Sequence, residues 1–503
     1  MDNMKRIIVA TWLVMSLAGS LCAQETGETT IIGPRILSME DVVRLAQEKS
    51  ISAMVNRNAF AAAYWNYRSF KAQYLPSLNL SGGLGNFDRN LSKVQDYNTG
   101  AWDYVQNYNM TNDLTLSIRQ NVALTGGTLS LSTQLQRLDQ FGANHRTSWL
   151  SKPIFLSYIQ SLSGYNSLKW DKKIEPNNYE IAKREYLENM ESVTISAVDY
   201  FWSLNAAQVE YNAALQSFDE SKRLYEAAQE RFRIGTITRD NLLQLELKML
   251  NDSLSIRSHE VSLKSAQNRL CSFIGYKEDT ELKLMISYTI PDITLSYDDV
   301  LDKAMENSSF SLSQTVQSLN ADRSVAQARA NTGLTADIHA TFGMTNSAES
   351  LRYAFSDMSD QESVGVTFAV PILDWGLGRG RVQMAKAQAE TTKNRLEQSL
   401  LDYRQNLMVS VMQFNNQRSQ CEISRRAADI AEESYELALR NFGTGSMSVT
   451  TLNQLQSTRD NARTAYENNV RSFWSQYFNM RKTTLYDYIS GTDISAEFDK
   501  LVK

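Results

Sequence analysis

The 503-residue chain has little that bends or ends a helix, with 22 Gly and 6 Pro in all. Such scarcity excludes a loop-rich fold and predicts long uninterrupted elements. Histidine and cysteine are scarcer still, at 3 each. His145, His259 and His339 are too scattered for a metal cluster, and no Ser-His-Asp or Cys-His arrangement stands out, so the parts of an enzyme are missing. Gly376-Leu-Gly-Arg-Gly380 lacks the Lys-Ser/Thr of a P-loop and the spacing of a dinucleotide fingerprint, and reads as a strand-to-helix passage. There is no basic surplus: 51 Lys and Arg against 56 Asp and Glu, a net charge of -5. A polyanion such as nucleic acid finds no attracting field here. Nor does any stretch approach the roughly 20 apolar residues of a membrane helix.

What is present begins with an export signal. Lys5 and Arg6 precede the apolar run Ile7 to Ala18 and the small residues of GSLCAQ, so residues 1–23 read as a signal peptide. Cleavage after Cys22 and after Ala23 both fit. For lipidation at Cys22 the preceding positions are unfavourable, being Gly19 and Leu21. Cys271 and Cys421 fall inside helical patterns and read as small apolar residues, although export would permit them to pair.

The chain is also self-similar. Ser38-Met-Glu-Asp-Val-Val recurs as Ser296-Tyr-Asp-Asp-Val-Leu, an offset of 258, and both have the Ser-x-x-acid form of a capped helix start. Downstream of Gln160 the offset becomes 210, so that Arg231-Phe-Arg-Ile-Gly235 aligns with Asn441-Phe-Gly-Thr-Gly445. The two offsets differ by 48, the length of an insertion between the first and second strands of the first repeat. Each repeat reads as helix, strands, very long helix, turn and returning helix. Arg381 to Phe442 contains no Gly or Pro. From Leu187 to Phe232, positions spaced alternately three and four apart form a heptad seam, including Phe201, Leu204, Leu215 and Phe218. The expectation is that neighbouring copies bury this seam, because two hairpins have no core of their own.

Between helices the period changes to two. Leu114, Leu116, Ile118 and Val122 alternate with Thr115, Ser117, Arg119 and Asn121; Val364, Val366 and Phe368 alternate with Ser363, Gly365 and Thr367. Alternation over about 9 to 11 residues, with Arg on the polar face, matches strands that have lipid on one side and water on the other. A half-buried soluble sheet gives the same alternation.

These residues together resemble the TolC family of outer-membrane factors. The resemblance rests on the paired starts at Ser38 and Ser296, the strand entry Tyr74-Leu-Pro-Ser-Leu-Asn-Leu80, the strand exit Pro371-Ile-Leu-Asp-Trp-Gly376 and the repeated tip. It implies a mixed α and β membrane fold: tandem-repeat protomers whose coiled-coil hairpins form a periplasmic tunnel, and whose strands share one trimeric outer-membrane β-barrel. The implied function is the exit duct of a tripartite efflux or type I secretion system. The implied partners are two further copies, a periplasmic adaptor, an inner-membrane transporter and outer-membrane lipid, with no cofactor and no catalysis. Adaptor docking would fall on the tips: Arg231, Phe232, Gly235 and Thr236 in the first repeat, Phe442, Gly445 and Ser446 in the second. Some family members narrow the tunnel with carboxylates six and nine residues after the second tip Gly. Thr451 and Gln454 stand there, and Asn241 in the first repeat, leaving Asp240 as the nearest acid and a candidate cap for the returning helix.

The expected organisation is an extension at 24–37, repeat one at 38–274 with an inserted hairpin near 88–135 and a helical hairpin at 178–273, a linker at 275–295, repeat two at 296–487 with its helical hairpin at 381–486, and a tail at 488–503. With four strands per copy a trimer closes twelve, and with six it closes eighteen. The alternative is an adaptor-like or structural coiled-coil protein of the periplasm, which would carry one hairpin and small β domains.

Overall fold

A computed structural model of the chain describes residues 35–95, 100–142, 145–277, 280–443 and 446–502. The export signal with Cys22, most of the 24–37 extension, and Gly445 lie outside the described residues. Strand β1 (Arg35–Leu37) leads into α1 (Met39–Lys49) and α2 (Ile51–Ala72). Four long strands follow: β2 (Ser77–Gln95), β3 (Trp102–Val122), β4 (Gly127–Gln140) and β5 (Arg146–Ser161). The helical hairpin of the first repeat is α3 (Ser167–Arg233) and α4 (Arg239–Phe273). After β6 (Leu282–Leu284), which pairs with β1, the second repeat brings α5 (Tyr297–Asn307), α6 (Ser309–Ala330), β7 (Thr335–Ala348) and β8 (Ser359–Ala369). It closes with the hairpin α7 (Leu377–Gly443) and α8 (Val449–Thr484).

The two repeats keep their offsets to the residue at several element starts. Both long helices, α3 and α7, have 67 residues, which at ~1.5 Å per residue makes rods of about 100 Å. They begin earlier than 178 and 381. Pro176 lies in the third turn of α3, where it forgoes one amide donor without ending the helix. At α1 the Ser38 Oγ accepts the Asp41 amide at 3.2 Å while the Ser38 amide donates to Asp41 Oδ2 at 3.3 Å, the reciprocal cap its sequence predicts. Ser296 takes the same position before α5 but makes no side-chain cap bond. There, Asp298 and Asp299 supply negative charge to the helix start.

The protomer has a core of its own, contrary to the expectation from the seam. Val42, Ala46, Ala197, Phe201, Leu204, Leu270, Leu282, Val300, Phe414, Phe473 and Tyr477 form one cluster where both hairpins meet the short helices. Phe201 and Leu204 are 1% and 0% exposed, covered by the chain itself. Toward the tip the buried stripe of α3 becomes Ala207, Ala214, Ser217, Ser221 and Ala228, while Leu215 is exposed. A helix of 3.6 residues per turn drifts about 20° per heptad against a strict sevenfold repeat. The three-four seam counted from Leu187 therefore slides off the packed face, and small residues take its place.

All six long strands form one antiparallel sheet in the order β2-β3-β4-β5-β7-β8. By the two offsets β2 corresponds to β7 and β5 to β8, so β3 and β4 are the strands without a counterpart. The insertion thus centres on 102–140 rather than 88–135. The strands also exceed 11 residues in five of six cases. Register shifts at Gly83/Asn86, Ser132/Gln134 and Ser151/Phe155 interrupt the alternation, and an extra residue in a strand moves its side chains between faces.

Candidate functional site

The sheet has two chemically distinct faces, and the register makes each continuous. Ser77, Arg119, Ser130, Ser157, Thr341 and Ser363 lie directly opposite one another across all six strands. On the other face one rung carries Leu78, Ile118, Leu131, Leu156 and Phe342 and ends at Glu362 on β8. Residues opposite each other in an antiparallel pair share a face, so at this level one wall is hydroxyls around an arginine and the other is hydrocarbon over five of the six strands. The apolar wall is bare in the protomer: Leu78 is 67% and Val366 58% exposed. Cations top this face toward the β2–β3 turn, with Arg89 over Tyr108 at 5.1 Å and Lys93 over Trp102 at 5.1 Å.

About 100 Å of helix separates this sheet from the tips. The turn after α3 closes through Gly235 at φ 76°, a left-handed conformation that glycine adopts without a Cβ clash. Its amide donates to the Phe232 carbonyl at 3.0 Å, and Thr236 donates both its amide and its hydroxyl to the Arg231 carbonyl at 2.9 Å. Ser446 repeats the arrangement, giving its amide and hydroxyl to the Asn441 carbonyl at 3.1 and 3.0 Å. The same turn chemistry is therefore built twice.

The residues around the turns are not equivalent. Phe442 packs between the hairpins, against Leu245 and Val449 on one side and Tyr435 and Leu452 on the other. Phe232 does not fill the matching position and is 41% exposed. Arg231, Gly235, Thr236, Asn241 and Phe442 line a common cleft of about 790 Å³ between the two tips. Asp240, Thr451, Gln454 and Ser446 are exposed outside it. The cap of α4 is Thr238, whose Oγ1 accepts the Asn241 amide at 3.4 Å; Asp240 sits in the first turn and accepts from Gln244 Nε2 at 3.0 Å. Thr238 wins because a cap must precede the helical residues, and Asp240 is already one of them. Ser448 caps α8 in the same way, through the Thr451 amide at 3.1 Å.

A polar network above the tips escapes the sequence reading. Arg459 on α8 is nearly buried, with Asp460 Oδ1 at 3.0 Å, Glu220 Oε2 and Glu432 Oε1 both at 4.0 Å, and the Tyr435 ring 4.2 Å below its guanidinium. Gln456 Nε2 donates to Ser217 Oγ at 3.0 Å. The signal was available in the comparison of repeats. At the 210 offset Arg459 falls on Met249 and Glu220 on Ile430, so charge replaces hydrocarbon where the two hairpins cross.

Residues 300–479 match the family model described as outer membrane efflux protein. That match runs through the second repeat, from α5 to α8. Solved structures share its fold over nearly the whole length. The Campylobacter jejuni CmeC outer membrane channel superposes with a TM-score of 0.64 at 15% identity, covering 92% of this chain and 88% of its own. The outer membrane protein VceC of Vibrio cholerae gives 0.61 at 14% identity, covering 91% and 97%. The open-state MtrE outer membrane channel of Neisseria gonorrhoeae gives 0.60 at 12%, covering 91% and 89%. No curated protein matches the sequence. The shared fold accounts for the two-faced sheet above paired helical rods, and the described residues include no helix long and apolar enough to cross a membrane.

Proposed function

We propose that three copies of this chain form an outer-membrane exit duct, which takes solutes from an inner-membrane pump and a periplasmic adaptor and releases them outside the cell. The observation that carries the reading is the sheet: a bare hydrocarbon wall backed by a hydroxyl wall suits lipid on one side and a wet lumen on the other. The rods of about 100 Å lead away from it, toward two tips whose shared cleft is lined by both hairpins. An adaptor-like protein has no use for the exposed apolar face. The work is conduction along a polar wall rather than catalysis. Arg231, Phe232, Gly235, Thr236, Phe442, Gly445 and Ser446 form the proposed docking end. Phe232 is its exposed apolar anchor, and the cleft beside Phe442 is its groove. Asp240, Asn241, Thr451 and Gln454 surround the end of the duct, which is closed by neutral groups more than by acids.

The test is complementation in cells lacking the protein, scoring three readouts: trimer in the outer-membrane fraction, efflux of a fluorescent dye, and cross-linking to the adaptor. Gly235→Val should leave the trimer in the membrane and abolish the other two. A Cβ there meets nothing within 4 Å, so the substitution strains the turn and adds bulk at its surface without disturbing packing. Wild-type protein found outside the outer-membrane fraction would overturn the reading.

A further inference from the structure

The six-stranded sheet has two open edges, β2 and β8. Among the described residues, β2 pairs only with β3 and β8 only with β7. In hydrocarbon an unpaired edge leaves backbone amides and carbonyls without partners, at several kcal/mol for each group. A closed ring of copies of the same chain removes both edges. Each strand in the sheet is antiparallel to its neighbour, so with an even number of strands β8 of one copy meets β2 of the next antiparallel as well. The faces agree too. Leu78 and Leu80 on β2 share the apolar wall with Val364 and Val366 on β8, and Ser77 and Ser363 end the same hydroxyl rung.

How many strands each copy brings depends on β3 and β4. Folded across the mouth, they would leave β2 to pair directly with β5. The register instead places β3 against β2 over Ser77–Arg119 to Gln95–Trp102, and β4 between β3 and β5. The inserted strands also carry their own share of the hydrocarbon wall: Leu114, Leu116 and Ile118 on β3, Leu129 and Leu131 on β4, all exposed. Held over an aqueous mouth, those leucines would form a large bare apolar patch; in the barrel wall they meet lipid.

We propose that three copies, joined β8 to β2, close a barrel of eighteen strands rather than the twelve that two strands per repeat would give. The inference rests on the trimeric duct proposed above. With strands ~4.8 Å apart and tilted by about 40°, the backbone diameter is about 36 Å, against about 24 Å for twelve strands. Three Arg119 side chains then face a lumen otherwise walled at that rung by Ser and Thr. Such an opening does not sieve what the helical tunnel has already passed, and it admits bulky hydrated cargo.

The wild-type protein, purified from outer membranes in detergent, decides the strand number by electron cryo-microscopy. Eighteen strands about a threefold axis are expected, at about 36 Å. A trimer of twelve strands with β3 and β4 outside the wall would overturn the inference and leave the duct standing; a protein that is not trimeric would overturn both. Cysteine pairs test the joint itself in intact membranes. Gly365→Cys, where an added Cβ has open space, is combined in turn with Asn79→Cys, Ser81→Cys or Asn86→Cys, all on the lumen side of β2. Oxidation should give covalent dimers and trimers for at least one register. Trimers that yield only monomer bands for every pair would refute the β8–β2 joint.

Discussion

Tyr435 donates its hydroxyl to Glu220 Oε2 at 2.7 Å, a direct bond between the long helix of the second repeat and that of the first. Burial, reinforced by Glu220, pushes the Tyr435 phenol well above its usual range, so it remains a donor at any physiological pH. Arg459 lies over the ring of the same tyrosine. The two hairpins are thereby held at one spacing above the tips.

Tyr435→Phe keeps the ring under Arg459 and removes only the bond to a charged acceptor, a loss of about 1.5 to 3 kcal/mol. The expected result is faster proteolysis at the tips and easier entry of a bulky antibiotic, with trimer abundance unchanged. Wild-type protease resistance in this variant would show that the bond holds nothing together.

Glu467 provides a pH test in the helical region. It is 9% exposed on α8, and burial raises its pKa from 4.5 to about 6, opposed by Arg463 and assisted by Glu210. A carboxyl whose folded pKa exceeds its unfolded value favours the folded state while protonated. That contribution is complete below pH 4.5 and is lost as pH rises through about 6. The loss is about 2 kcal/mol at ~1.4 kcal/mol per unit. Glu467→Gln should therefore flatten the stability profile between those values and be the more stable protein at pH 7. Urea midpoints across pH 4 to 7.5 check it, and parallel profiles for the two proteins would contradict the assignment.

Leu131→Arg and Ser130→Arg compare the two faces of an inserted strand at adjacent positions. With Leu131 near the bilayer midplane the first should cost about 2 to 4 kcal/mol, while the second is tolerated in a wet lumen. The readout is heat-resistant trimer in the outer-membrane fraction. Equal defects would place β4 outside the lipid.

Phe201 and Leu204, at 1% and 0% exposure within one chain, test the core rather than the assembly. Replacing both with Glu buries two charges at a cost of several kcal/mol. Loss of the folded protomer is expected, seen as degradation before any outer-membrane species forms. Accumulation of a protease-resistant monomer would mean that the seam serves contacts between copies after all.

Much of the architecture was legible because it is periodic. The Ser38 and Ser296 starts, the alternation around Ile118 and Val366, and the paired tips all depend on spacing along the chain, which the sequence displays directly. Three-dimensional crossings are another matter. Glu220 and Arg459 stand out against Ile430 and Met249 of the other repeat, but spacing alone does not say that Tyr435 and Arg459 meet Glu220 from two other helices. The seam from Leu187 leaves the packed face of α3 because sevenfold spacing and 3.6-residue turns part company over several heptads. The strands outrun their visible alternation where bulges beside Gly83 and Ser132 exchange the faces. At the tips the sequence shows the symmetry of Phe232 and Phe442 but not its breaking, since only packing decides that Phe442 goes inward.

The equal length of α3 and α7 has a mechanical meaning. Two rods of 67 residues rising from one sheet act as a matched pair of rulers, so both turns arrive at the same depth. The 48-residue insertion lies wholly on the strand side of those rulers. Girth at one end and reach at the other are thus set by separate stretches of chain. A hairpin can be added to the sheet without moving the tips by a single turn, and an adaptor docked at them in the proposed duct need not register the change.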